Sequence, residues 1–153
     1  VKQKITLGRA DKADFPELGL KDADIKMDTG AYTSAIHCHK IELKTIDGKE
    51  FVIFTLLDPS HSQYADREFS TSNFHTKLIK NSFGSSENRF VVETNIKLFD
   101  KEYPIELSLS KRGEMKFPIL IGRRFLVGNF IVDSSKANLS YKRKQKTINQ
   151  NKS

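Results

Sequence analysis

The segment RFVVETNIKLFDKEYPIELSLS, residues 89–110, alternates apolar and polar side chains with a period of two. Phe90, Val92, Ile96 and Leu98 share one parity, against Glu93, Asn95 and Lys97 on the other. Beyond a polar turn near Asp100-Lys101, Tyr103, Ile105, Leu107 and Leu109 alternate with Glu102, Glu106 and Ser108. Only an extended chain puts alternate residues on one face, so this pattern demands a β-hairpin with one wet side. A second hairpin follows from IELKTIDGKEFVIFTLL, residues 41–57, where Asp47-Gly48 is a type I′ turn signal. The run FVIFTLL is apolar on both parities and suits a strand covered on both faces or a barrel wall.

Helical signals are sparse. One short segment, RRFLVGN at residues 123–129, reads as a helical turn stopped by Gly128-Asn129. Pro16, Pro59, Pro104 and Pro118 fall at strand starts or loops. A chain of 153 residues can bury one real core, and many short strands favour a barrel or a sandwich. The expected architecture is one all-β domain over residues 1–141, a closed barrel with one short helix.

Charge is unevenly placed. Of the net +7, +5 lies in residues 142–153, KRKQKTINQNKS, which hold no acid. The body is therefore nearly neutral, and the basic end reads as a polar, mobile tail. Nucleic acid is not the expected partner. No apolar run approaches the ~18 residues of a membrane-spanning helix. No export signal is legible at the start, which leaves the compartment, cytoplasmic or periplasmic, open. The single cysteine, Cys38, excludes an intrachain disulfide and a multi-cysteine metal site.

Two stretches carry chemistry. IKMDTGAYTSAIHC, residues 25–38, runs a strand into Asp28-Thr29-Gly30-Ala31. FPILIGRRFL, residues 117–126, runs an apolar strand into a glycine and a short helical turn. Taken singly, each is a turn. Together, and with FPELGL, GSSENRFVVET and FIVD in the same order, the chain resembles the retropepsin-like aspartic proteases. It is most similar to a bacterial branch often labelled "ATP-dependent zinc protease". The resemblance covers nearly the whole body and implies an acid-protease fold.

It also implies a catalytic Asp28, with Thr29 and Gly30 shaping its turn, Ala31 keeping the next position small and Ser34 hydrogen-bonding nearby. Two carboxyls ~3 Å apart share one proton and act as base and acid on an attacking water. One Asp-Thr-Gly is half of such a dyad. The retroviral members complete it by forming a homodimer; Asp133 is the intrachain alternative. Some members of the bacterial branch are associated with ligases that add glutamates to proteins or peptides. An acidic peptide or protein substrate would then meet arginines, with Arg67, Arg89 and Arg112 as candidates. The resembled proteases use an arginine at the position of Arg123 for packing and dimer support. A covering flap would come from NSFGSSENR, residues 81–89, or from DPSHSQYADR, residues 58–67.

The label's zinc finds little in the residues. His37 and His39 share a face if SAIHCHKIEL is a strand, but no His-Glu-x-x-His exists and His61 or His75 is an undefined third ligand. No phosphate-binding Gly-x-x-x-x-Gly-Lys-Ser/Thr occurs either. The sequence therefore predicts no required cofactor. Two rival readings stay open: a peptide-binding module that does not cut, and a zinc hydrolase.

Overall fold

The predicted alternation becomes eleven strands among the residues described by the computed structural model, 3–80, 83–111 and 117–151. In order they are β1 (Ile5–Leu7), β2 (Ala10–Phe15), β3 (Leu20–Met27), β4 (Ser34–Ile46), β5 (Lys49–Leu56) and β6 (Glu68–Thr71). Then come β7 (Phe74–Lys80), β8 (Ser86–Leu98), β9 (Lys101–Ser110), β10 (Ile119–Ile121) and β11 (Phe130–Val132). A 3-10 turn at Pro16–Leu18 precedes β3. Two helices complete the chain, α1 (Arg123–Leu126) and α2 (Leu139–Asn151).

Both predicted hairpins form. β4 pairs with β5 up to Ile46 opposite Lys49, and the turn residues Asp47 and Gly48 both take positive φ. β8 pairs with β9 up to Leu98 opposite Lys101, so its turn is Phe99-Asp100, one residue earlier than the polar pair suggested. Both turn residues again have positive φ, 51° and 62°. A phenylalanine rarely adopts that region. Here the Phe99 N–H donates to Ser140 Oγ at 2.8 Å, and the Arg143 guanidinium lies over its ring. The turn is thus held from outside, by α2.

The larger sheet runs β10-β3-β2-β8-β9-β4-β5-β6, and β7 pairs with β8 along the edge opposite β9. β10 pairs parallel with β3 and antiparallel with β4, so the pairings return on themselves. The β2–β8 link is a single register pair, Asp14 with Lys97. The chain is mostly β, and this ring is an uneven one, thin at β2–β8. Its interior holds Phe15, Ile25, Ile36, Ile96, Leu107, Ile119 and Ile121, all buried. β1 and β11 form a separate two-stranded parallel sheet.

The basic end is not a mobile tail: residues 139–151 form α2, packed on β2. The reason is tertiary neutralisation. The Asp11 carboxylate on β2 accepts from the backbone N–H groups of Ser140 and Tyr141, at 2.9 and 3.0 Å. It supplies the negative charge that the helix's own first turn lacks. Lys144 sits between Asp14 and Asp22, 3.1 and 2.6 Å from their carboxylates. Burial pushes the Asp11 carboxyl above its ordinary range, against the lowering pull of the N–H groups of Ser140, Lys12 and Tyr141. Asp11→Ala removes the partner of two helix N–H groups, which typically costs ~0.5–2 kcal/mol at a helix start. The expected result is faster tryptic cutting after Lys142 to Lys146 with the body intact. Equal cutting in wild type and variant would show that Asp11 does not hold the helix.

Candidate active site

β3 ends at Met27, and the chain turns at once. The Asp28 C=O accepts from the Ala31 N–H at 3.1 Å, and Asp28 Oδ1 accepts from the Gly30 N–H, also at 3.1 Å. The carboxylate thus stiffens its own turn, as an Asx residue does. Asp28 is half-buried, while Thr29 and Gly30 are exposed. The Asp28 N–H donates to the Ile121 C=O at 2.8 Å, which ties the turn to the end of β10.

The second motif is the support of the first. The backbone N–H groups of Arg123 and Arg124 donate to the C=O groups of Ala31 and Tyr32, at 2.8 and 3.0 Å. The Arg123 guanidinium donates to the Thr29 C=O at 3.0 Å. Ser34 is buried and its hydroxyl accepts from the Gly122 N–H at 2.9 Å. A Cβ on Gly122 would lie 2.6 Å from the Tyr32 carbonyl oxygen; on Gly30 it would lie 3.3 Å from Asp28 Oδ1. The glycine that the site most needs is therefore Gly122, where two backbones touch.

The hairpin β7–β8 reaches the same loop. Lys77 Nζ donates to Thr33 Oγ1 at 2.9 Å and lies 4.7 Å from the Tyr32 ring centroid. Arg89, opposite Lys77 in the register, is 9% exposed and paired with Glu87. Of the two candidate flap segments, the one containing Arg89 belongs to the hairpin that touches the Asp28 loop. Residues 81 and 82 lie outside the described residues, as does Arg112.

The family whose description is "RimB-like: Retropepsin-like aspartic endopeptidase RimB" matches residues 6–143. The chain belongs to this family. It is 37% identical over 134 residues to a Desulfotalea psychrophila protein named "Probable alpha-L-glutamate ligase", covering 85% of this chain and 28% of that one. A Shewanella pealeana protein of the same name is 30% identical, with 88% and 29% covered. The chain therefore spans less than a third of these curated relatives. The solved structure of Lpg0085 from Legionella pneumophila, a protein of unknown function, aligns with a TM-score of 0.70 at 25% identity. That alignment covers 90% of this chain and 99% of Lpg0085.

The RimB-like framework gathers Asp28, Thr29, Gly30 and Ala31 in one braced turn. Ser34 is buried behind that turn, where its hydroxyl meets the Gly122 N–H. Arg67 does not join them. It stacks on Phe69 and lies beside Gly19, at the opposite end of β3 from Asp28. Asp133 is occupied by the N–H and hydroxyl of Ser135 and by Lys136. Among the described residues, no hydrogen bond links Asp28 to a second carboxylate. Sequence reasoning singled out neither Lys77, which lies on the irregularly patterned β7, nor Tyr32, which lies within the Asp28 stretch but carries no motif position of its own.

His37, His39 and His61 of this RimB-like chain have separate partners. His37 is buried, with Nε2 3.9 Å from Asp58. A register shift between Cys38 and Lys40 breaks the strand alternation, and the exposed His39 stacks edge-on against Tyr64. His61 Nδ1 accepts from the Gln63 N–H. Among the described residues no three His, Cys, Asp or Glu side chains are grouped to hold a metal. Burial pushes the Cys38 thiol up to about 12, so it is no ready thiolate.

Burial also lowers the His37 pKa below its ordinary 6.5, partly opposed by Asp58. The unfolded chain then binds the extra proton first as the pH falls. The stability contribution is complete above pH 6.5 and is lost as the pH falls from there toward the lowered folded value. A His37→Gln variant should accordingly lose less Tm than wild type between pH 7.5 and 5.5. Equal losses would assign the acid sensitivity to other groups.

Proposed function

We propose that this chain is an aspartic-type peptidase acting on an acidic, glutamate-rich peptide or protein. The observation that carries the reading is the Asp28 turn, stiffened by its own carboxylate and braced by β10 and α1. The ring of pairings behind it would then be the closed barrel of the acid-protease type. We further propose that a second copy supplies the second carboxyl across a two-fold axis passing near Thr29. The relatives named as glutamate ligases support the substrate class, since a glutamyl amide formed by a ligase is the bond that such a peptidase would hydrolyse.

In the assembled dyad one proton is shared between the two Asp28 carboxyls, and the pair titrates as a unit. The ionised carboxylate removes a proton from water as its oxygen attacks the scissile carbonyl carbon. The protonated carboxyl gives its proton to the carbonyl oxygen, forming a gem-diol. A proton then passes to the amide nitrogen, the C–N bond breaks, and the products are an acid and an amine.

The test is incubation of wild type with oligo-glutamate and with neutral peptides across acidic to neutral pH, with products read by mass. Cleavage of the acidic peptide, with a pH profile shaped by two carboxyl-type values, is the expected result. Stable binding without cleavage by a monomer would favour a peptide-binding module. Activity lost to a chelator and restored by zinc would overturn the aspartic mechanism.

A further inference from the structure

Lys77 and Arg89 face each other directly across β7 and β8. Residues paired in this way project from the same face of an antiparallel ladder, and like charges there repel. Two cations on one face call for anions, yet among the described residues a single carboxylate, Glu87, lies within ion-pairing distance of either. Glu87 is itself mostly exposed and belongs to Arg89.

Lys77 is held instead by neutral groups, the Thr33 hydroxyl and the face of the Tyr32 ring. Arg123 approaches the same ring, 5.8 Å from its centroid. A ring face attracts a cation, and a hydroxyl accepts one hydrogen bond, but neither cancels the charge. A carboxylate is the stronger partner for an ammonium. Arg89 is nine-tenths buried, so its guanidinium is held in place, and desolvation strengthens any contact that it makes with an anion. The other carboxylates near Thr33 do not fill the role. Glu93 and Glu106 line a cavity of about 250 Å³ with Thr33, Ser34 and Arg124, and Glu106 is paired with Arg124 at 2.8 Å.

We propose that Lys77 and Arg89 form a subsite for the side-chain carboxylate of the peptide, with Lys77 determining specificity. The inference rests on the peptide-binding part of the reading above and gives it a recognition element. Thr33 and Tyr32 belong to the loop that begins at Asp28, so a carboxylate captured by Lys77 fixes the peptide beside that loop. Thr33 then acts as a placeholder, releasing Lys77 when the carboxylate arrives.

The experiment measures the binding of labelled oligo-glutamate and oligo-glutamine at low salt. The host is the full chain carrying Asp28→Asn, so that the peptide stays whole. Lys77→Met and Lys77→Glu are compared on that background, with melting curves as a check of folding. Lys77→Met should weaken oligo-glutamate binding ~10-fold, the size of one lost charge-assisted contact, and leave oligo-glutamine binding as it was. Lys77→Glu should weaken it further. A melting temperature that stays put makes the change one of recognition.

Oligo-glutamate binding that is unchanged in Lys77→Met overturns the proposal. Equal weakening for both peptides overturns it as well, since the loss is then structural. So does a host protein that binds the two peptides equally. Cleavage is read separately with Asp28 restored. If charge-selective, Lys77-dependent binding persists but no peptide is cut, the subsite stands and the peptidase reading falls.

Discussion

Replacing Asp28 by Asn leaves the melting temperature near that of wild type and lowers the hydrolysis of acidic peptides by ~10²–10⁴-fold, the usual worth of positioned acid–base groups. Stability is retained because the bond from the Gly30 N–H to Oδ1 is also open to an amide oxygen. Activity is lost because an amide neither takes a proton from water nor shares one with a second carboxyl. Mass analysis of products after matched incubations decides the point. Undiminished cleavage would place the chemistry elsewhere in the chain or in a contaminant. The same variant examines the shared dyad. With equal amounts of wild-type and Asp28→Asn chains exchanging freely, about a quarter of two-fold dimers carry two aspartates. Activity should then fall to about that fraction of the activity of the same total amount of wild type. A fall to half instead would mean that each chain works alone.

Gly122→Ala is the substitution with the largest expected structural effect. Its Cβ would lie 2.6 Å from the Tyr32 carbonyl oxygen and 2.8 Å from the Thr33 carbonyl carbon. These are backbone atoms, so no side-chain rotation relieves the clash. Overpacking of this kind costs roughly 1–3 kcal/mol, and a rigid backbone neighbour puts Gly122 at the upper end. For a chain of this length the expected drop in Tm is roughly 6–12 °C. The variant should also lose activity beyond its loss of stability. The Arg123 and Arg124 N–H groups that hold Ala31 and Tyr32 follow Gly122 directly. A melting curve and a rate taken well below the transition separate the two effects. An unchanged Tm would mean that the close approach is not needed.

Much of the site was legible because its parts are local. Asp28, Thr29 and Gly30 are adjacent, and a turn that bonds to itself needs no distant partner. The hairpins were legible for the same reason: side-chain alternation is a short-range property, and Asp47-Gly48 is a turn by its own conformational preference. Phe99-Asp100 was less legible. Its positive φ at a phenylalanine is sustained by Ser140 and Arg143, some forty residues later.

The sequence by itself determined that the chain is mostly β and that Asp28 ends a strand in a tight turn. Periodicity and turn chemistry suffice for these, because they act within a few residues; that the 117–126 stretch is the companion of this turn was implied by the family resemblance alone. Tertiary structure alone decided that β10 lies between β3 and β4, bringing Gly122 onto the Asp28 loop from ninety residues away. It also turned Ser34 into a buried brace, moved Arg67 to the far end of β3, and set Lys77 against Thr33. The same holds for the basic end. Five cations without an acid read as a solvated tail, since a sequence shows only the charges beside them. In the fold, Asp11, Asp14 and Asp22 stand over that segment, and electrostatics acts through space rather than along the chain.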